Sequence, residues 1–563
     1  MKLIRPDRDA QWFIVALGLA IAVGLASLSA FSTPSSAQNA ATANTAASAP
    51  ELHCTSTPVR RNVPPLASDP LKGQVDPFEG QLAGSSLPAT SLPIDDATRE
   101  SILLSGLPCQ ESASPNGQEK EGLENLQRGF DFYSWRTFIA LNSPTDGTTP
   151  IGKAKPDTPT LWEDMGSFKQ LLDVMLPPDQ VAASWPTDRP GMEAERKRLM
   201  PPACQAVIDA HKEMSGRMVV KMIEESFNEP FKTGPLIDQD GRYAIFDILM
   251  NGRMFDYIKN NHLNTKAGQI SNSSLVVDFP VGLNSTPKTP NSDIGAFMLK
   301  VSWKLLFGKE LHDQNFHMVK ALVLTPANPK GPQKCLPETL GLIGFHAVHK
   351  TASRPQWIWT SFEHVKNVPD KDEVAHKKFN GPYNFYDEKC NGCTVNATPP
   401  TPWTPDPNQD DLMFRPNDLS KKDSFRSQIV RETVQTDAAK HMNAIFQSML
   451  KGTVWANYML ISTQWPSNFP CTQAHLKGTP NPNPDFTKPG TDFTKQPDMT
   501  CSPAPTFMAN STLETYSQGD TPLASSSCIA CHGNAVSYQR GASNLPSGKL
   551  NQSDFTFILE KAQ

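Results

Sequence analysis

Apolar positions begin to recur with a regular period only near residue 122. From there Leu123, Leu126, Phe130, Trp135, Phe138 and Ile139 fall at helical spacing, and 130–141 is predicted as the first core helix. A second helix is expected over 205–227, where Val207, Ala210, Met214, Met218, Met222 and Ile223 recur every three or four residues. His211 beside that stripe reads as a packed or surface residue. After Pro235 the pattern shifts toward strands. The stretches 242–250, 274–279, 296–306 and 318–325 are rich in Val, Ile, Phe and other apolar residues, and Asp240-Gly241 is a turn signal before the first. A sheet-containing body is expected over about 235–370. The strongest helical signal is 424–450, with Val430, Val434, Ala438, Met442, Ile445 and Met449 on one stripe. A strand-like run over 454–465 follows and stops at Pro466.

One stretch is denser than its neighbours. Gly341-Leu342-Ile343-Gly344-Phe345-His346-Ala347-Val348-His349-Lys350 reads as a strand, and so does 356–364, with the two pairing through 352–355. If extended, His346 and His349 point to opposite faces; if helical, they share one. Trp357, Trp359, Ser361 and Glu363 would line one face of the second strand, and Ile358, Thr360, Phe362 and His364 the other. The fold class expected from this alternation of signals is α+β.

Composition narrows the picture. The 563 residues suit several domains or one large irregular one, and the 51 prolines imply long irregular connections. A net charge of −5 gives no basic face for nucleic acid. No phosphate loop, dinucleotide fingerprint or internal repeat is visible. Lys2, Arg5 and Arg8 precede an apolar run from Trp12 to Ala26, and Ser35-Ser36-Ala37 supplies small residues for cleavage. That reads as a signal peptide over 1–37, hence a periplasmic or exported protein, with an uncleaved N-terminal anchor as the one route to a membrane. A Pro- and Ser-rich flexible arm is expected over 38–121, a mixed body over 122–506 and a short C-terminal segment over 507–563 packed on that body.

The chain has ten cysteines. Cys54, Cys109, Cys204, Cys335, Cys390, Cys393, Cys471 and Cys501 form an even set that suits disulfides in an exported chain. Cys390-Asn391-Gly392-Cys393 is followed by Thr394 and reads as a structural disulfide rather than a zinc site. The other two cysteines lie in Ser527-Cys528-Ile529-Ala530-Cys531-His532-Gly533, which has the C-x-x-C-H spacing. Two thiols one short turn apart can add to the two vinyl groups of one porphyrin, and the adjacent imidazole can reach the iron.

This segment resembles the attachment site of c-type cytochromes. The resemblance implies one covalent haem c, with Cys528 and Cys531 as thioether links and His532 as proximal iron ligand. The stretches 130–142, 356–364 and 510–533 further resemble large bacterial exported single-haem cytochrome c family proteins, a likeness that implies no particular activity. In the familiar small cytochromes c the sixth ligand is a downstream methionine. Here the 31 residues after His532 contain neither methionine nor histidine. The distal ligand then comes from upstream, or the sixth position is open or water-bound. The distal candidates are His346, His349, His364 and Met508; His441, Met442 and Met499 are further ligand types, with Met442 read as core.

Three functions fit this reading. The first is an electron-transfer cytochrome with a redox partner protein. The second is a haem enzyme of peroxidase or oxygenase type, with an open distal site, a small-molecule substrate, and His346, His349 or His364 as acid–base group. The third is the haem-bearing subunit of a periplasmic dehydrogenase.

Overall fold

The computed structural model describes residues 99, 102–104, 106–109, 503–518, 527–538 and 552–563, and 123–466, the long ranges with short interruptions, together with the backbone of His53–Cys54. The expected leader 1–37, most of the arm, and the connection carrying Cys471, Met499 and Cys501 lie outside the described residues.

In chain order the elements that position the site are α1 (Leu123–Leu141), β1 (Phe168–Gln170), α2 (Pro202–Ala210), β2 (Met218–Lys221) and β3 (Ile245–Asn251). They continue with α3 (Gly252–Asn260), β4 (Phe297–Leu305), β5 (Met318–Leu324), β6 (Cys335–His349) and β7 (Ile358–His364). The last four are α4 (Asp437–Met449), β8 (Tyr458–Pro466), β9 (Pro503–Ala504) and α5 (Cys528–His532).

The strands form a nine-stranded sheet in the order β9-β8-β7-β6-β4-β3-β1, with β5 and β2 off that path. Neighbours run antiparallel except β2 and β5, which are parallel. The long β6 serves two partners: its first half pairs with β5, its second with β4 and β7. The fold is a mixed α+β body.

Register sets the two faces of the sheet, because directly paired residues point the same way. Leu249, Leu299, Ala347, Thr360 and Thr463 form one cross-strand row of the first face. α1 and α4 cover that face: Trp135 stacks on Phe446 at 4.9 Å and Phe138 on Phe362 at 4.2 Å between ring centroids. On the second face one row is Met250, Met298, Val348, Trp359 and Gln464. The next is Ile248, Lys300, His346 and Ser361, and the third is Phe246, Ser302, Gly344 and Glu363. This second face receives the C-terminal segment.

Several sequence expectations are corrected. The helix expected over 205–227 stops at Ala210; Gly216 takes a positive φ of 79°, and Val219 and Val220, β-branched, enter the sheet in β2 instead. The stretch 274–279 forms no strand; its Val277 and Phe279 are buried by the C-terminal tail, and the Phe279 amide donates to Asp554 Oδ2 at 2.8 Å. The helix expected over 424–450 starts only at Asp437, where the Thr436 hydroxyl caps the Ala439 amide at 3.1 Å. Before it the chain stays extended because Arg431 is tied to Glu363 at 2.8 Å and to Asp370 at 2.7 Å.

Disulfides join Cys204 to Cys335, from α2 to the start of β6, and Cys390 to Cys393; Cys109 is also disulfide-bonded. Part of the arm contributes to the main core, since Ile102, Leu107 and Cys109 are buried there. Residues 47–563 form one compact unit. Among the described residues no helix is long and apolar enough to cross a membrane.

Candidate functional site

α5 is a single turn and a half, too short to stand alone, so its neighbours place it. Ser527 caps it, accepting from the Ala530 amide at 3.3 Å. Gln464 of β8 docks it to the sheet: its Oε1 accepts from the Ile529 amide at 2.8 Å, and its Nε2 donates to the Pro505 carbonyl at 2.8 Å. Ile529 is fully buried among Met298, Val348, Trp359 and Met508. Cys528 and Cys531 are half-buried and not in a disulfide. Burial, followed by the nearby Glu514 carboxyl, pushes both thiols up.

His532 is fixed on three sides. Its Nδ1 lies 2.8 Å from the Phe555 carbonyl. A carbonyl only accepts, so Nδ1 carries the proton and the lone pair is on Nε2. The Trp359 ring lies 4.4 Å away and the Phe557 ring 5.0 Å. Desolvation lowers the imidazole to about 4, which keeps it neutral.

The carbonyl that orients His532 sits on a strained turn. Asp554 and Phe555 have φ of 53° and 61°, and Trp357, which donates from Nε1 to the Asp554 carbonyl at 3.0 Å, has φ of 72°. Three non-glycine residues in the left-handed region cost energy and persist only where surroundings enforce them. Here the enforcement comes from Lys350, whose ammonium donates to the Asp554 carboxylate.

The sequence candidates separate cleanly. His349 lies on the first sheet face, where its Nδ1 meets the Tyr133 hydroxyl and its Nε2 the Ile294 carbonyl at 2.6 Å. His364 is on the same face; its Nε2 meets the Asn315 carbonyl at 2.9 Å, and its Nδ1 accepts from the Lys366 amide at 3.1 Å. Both rings are therefore fully engaged away from α5. His441 and Met442 are on α4, also on the first face, and Met442 is in the main core. Met508 is buried in the same apolar cluster as Ile529.

His346 alone among the three histidines faces α5. It is paired in register with Lys300 and Ser361, one row over from the Trp359 that touches His532. Its Nε2 is buried without a hydrogen-bond partner, and Glu514 Oε2 lies 3.5 Å from it. Desolvation, then the charge of Lys300, holds this imidazole well below its usual range.

The segment 507–518 closes the same face from the other side. Asn510 Nδ2 donates to Ser361 Oγ at 3.1 Å and to the Phe362 carbonyl at 2.8 Å. Ser511 donates to Glu363 from its amide and hydroxyl, each at 2.6 Å. Lys300 Nζ donates to the Leu513 carbonyl at 3.2 Å. Burial raises Glu514 to about 7 against the opposing charge of Lys300.

Sequence reasoning marks Phe555, Phe557, Ile558 and Leu559 as an apolar tail that docks on the body, but misses the role of the Phe555 carbonyl, and misses Asp554, Lys350, Lys300, Gln464 and Glu514. Lys300 carried a signal, being a charged residue inside a mostly apolar strand. The Phe555 carbonyl carried none, because it is backbone.

No family model matches the chain, and neither a curated protein nor a solved structure matches it.

Proposed function

We propose that this chain is an exported c-type cytochrome carrying one haem, held by thioether links from Cys528 and Cys531 and ligated by His532, and that it transfers electrons to a redox partner protein. The observation that carries the reading is the state of His532: an imidazole whose Nδ1 proton is committed to the Phe555 carbonyl and whose Nε2 is left to bind a metal. The cysteines support it. Cys109, Cys204, Cys335, Cys390 and Cys393 are cross-linked, while Cys528 and Cys531, at the same C-x-x-C spacing as 390 and 393, are not.

Bound there, the haem would supply an iron that cycles between ferric and ferrous states. The protein's part is to hold and insulate it. Trp359, Phe557 and the Phe555 carbonyl fix the plane and tautomer of His532. Met298, Val348, Trp359, Ile461, Met508 and Ile529 give that side an apolar lining, which would disfavour the more highly charged oxidised state of a bound haem and so raise its potential. A second reading, a haem enzyme, draws on the buried His346 and the half-buried Glu514, two ionisable side chains beside the motif.

The test is maturation of the full chain in a host competent for covalent haem attachment. One haem per chain is expected to survive acidic organic extraction and to give a pyridine haemochrome, with loss of retention in the Cys528→Ser/Cys531→Ser double variant. A reversible one-electron couple with no peroxide turnover supports electron transfer. Turnover of a reducing dye by peroxide at enzymatic rates supports the second reading, and absence of covalent haem in the parent sinks both.

A further inference from the structure

Three rows of the second sheet face meet the C-terminal segment, and each meets it differently. The row of Trp359 and Gln464 holds α5. The row of Gly344 and Glu363 holds the 510–514 stretch, which approaches so closely that a Cβ on Gly344 would lie 2.3 Å from Thr512 Oγ1. His346 lies in the row between them, under the seam where the two halves of the segment come together. Its neighbours in the row are polar too: Lys300 donates to the Leu513 carbonyl, and Ser361 accepts from Asn510. Two groups of the row are left over, buried and without a hydrogen-bond partner: the hydroxyl of Ser462, which continues the row on β8, and the His346 Nε2, the one of the two that is an iron-ligand type.

We infer that His346 is the sixth ligand of the haem iron, through Nε2, with His532 the fifth. The inference rests on the covalent-haem reading above. A buried polar nitrogen left unpaired costs a folded protein about 1–3 kcal/mol. A neutral imidazole is a common iron ligand, and coordination would satisfy that nitrogen. Among the other candidates, His349 and His364 use both ring nitrogens on the far face of the sheet. Met508 is packed in the apolar cluster under Ile529, where a thioether needs no polar partner. Glu514, at 3.5 Å from Nε2, is the competing partner; its Oε2 already accepts from the Asn510 amide at 3.2 Å. Two axial ligands from the protein would leave the iron no open position, which favours electron transfer over catalysis.

The experiment uses the full haem-loaded chain, its His346→Ala and His346→Met variants, and three readouts: visible absorption, electron paramagnetic resonance of the ferric form, and carbon monoxide added to the ferrous form. The parent is expected to be low-spin in both oxidation states and indifferent to carbon monoxide. His346→Ala should retain its covalent haem, turn high-spin when ferric and bind carbon monoxide when ferrous. His346→Met should return toward low spin with a more positive potential, as methionine ligation does; it also serves if the alanine variant fails to fold. A parent that carries covalent haem but is high-spin and binds carbon monoxide overturns the inference. So does a His346→Ala protein with the parent's spectrum. A parent with no covalent haem overturns the underlying reading instead, so the two failures are distinguishable.

Discussion

Asp131 shows how much a single buried group can shape the behaviour of this protein. It is fully buried on α1, its Oδ1 accepting from Gln127 Nε2 at 2.9 Å and from the Thr463 amide at 3.2 Å, while its Oδ2 has no partner. Desolvation raises its carboxyl from 3.8 to about 7, against the pull of those hydrogen bonds. In the unfolded chain it ionises near the lower value. The folded state therefore holds an extra proton between the two, and the stability this contributes is complete below the unfolded value and lost as pH rises through about 7. Asparagine keeps the accepting oxygen and never ionises. Stability of Asp131→Asn relative to the parent should thus rise with pH across that window, by at most about 1.4 kcal/mol per pH unit, and level off above it. Urea unfolding of both proteins at about pH 5, 6, 7 and 8 measures this, and parallel profiles would count against it. The same scale explains why sequence could not choose among the histidines. His346, His349 and His364 are alike as letters, and what separates them is which ring nitrogens already have a partner.

At the scale of elements, the β6–β7 pair was the most legible part of the fold. Extended, it must alternate its side chains between two faces, so the sequence leaves only strand or helix to decide, and the register puts His346 and His349 on opposite sides. Helices over 205–227 and 424–450 were over-extended because the apolar period continues past their ends. What stops them is not periodic: a glycine at positive φ, a threonine cap, and an arginine held by one carboxylate from a strand, Glu363, and one from a helix cap, Asp370. The C-x-x-C-H motif itself was legible because its spacing is local. Its supports were not, since Lys300, His346 and Phe555 meet only through tertiary pairing. Gly344 is one such support. An added Cβ would lie 2.3 Å from Thr512 Oγ1 and 2.4 Å from Ser302 Oγ, too close for either to stay. Gly344→Ala should therefore cost about 1–3 kcal/mol and loosen 510–514 from the sheet. Adding Thr512→Ala removes the closest atom and should recover part of the loss. Thermal unfolding and limited proteolysis of the three proteins read both effects, and a Gly344→Ala protein as stable as its parent would refute the packing argument.

At the scale of the whole molecule, the question is whether 507–563 is an appendage or a structural layer. α1 and α4 cover one face of the sheet, and the C-terminal segment packs on the other. Met298, Val348, Trp357, Trp359 and Ile461 are buried in one cluster with Met508, Ile529, Phe555, Ile558 and Leu559. Each large apolar side chain returned to water costs about 1.5–3 kcal/mol, so uncovering the sheet side alone forfeits on the order of 10 kcal/mol. That is comparable to the entire stability of an ordinary domain, about 5–15 kcal/mol. The polar contacts would be lost as well: Glu363 would lose both hydrogen bonds from Ser511, and Gln464 its contact with the Ile529 amide. A chain ending at residue 506 should then fail to give a cooperative unfolding transition, bind the dye ANS and aggregate. An appendage would behave otherwise, leaving a body that melts cooperatively near the parent's temperature. Calorimetry of the truncated chain beside the full one decides between them. The outcome bears on the proposed electron transfer too, because a C-terminal segment that forms one layer against the sheet would hold His532 with the rigidity of the sheet rather than of a tether.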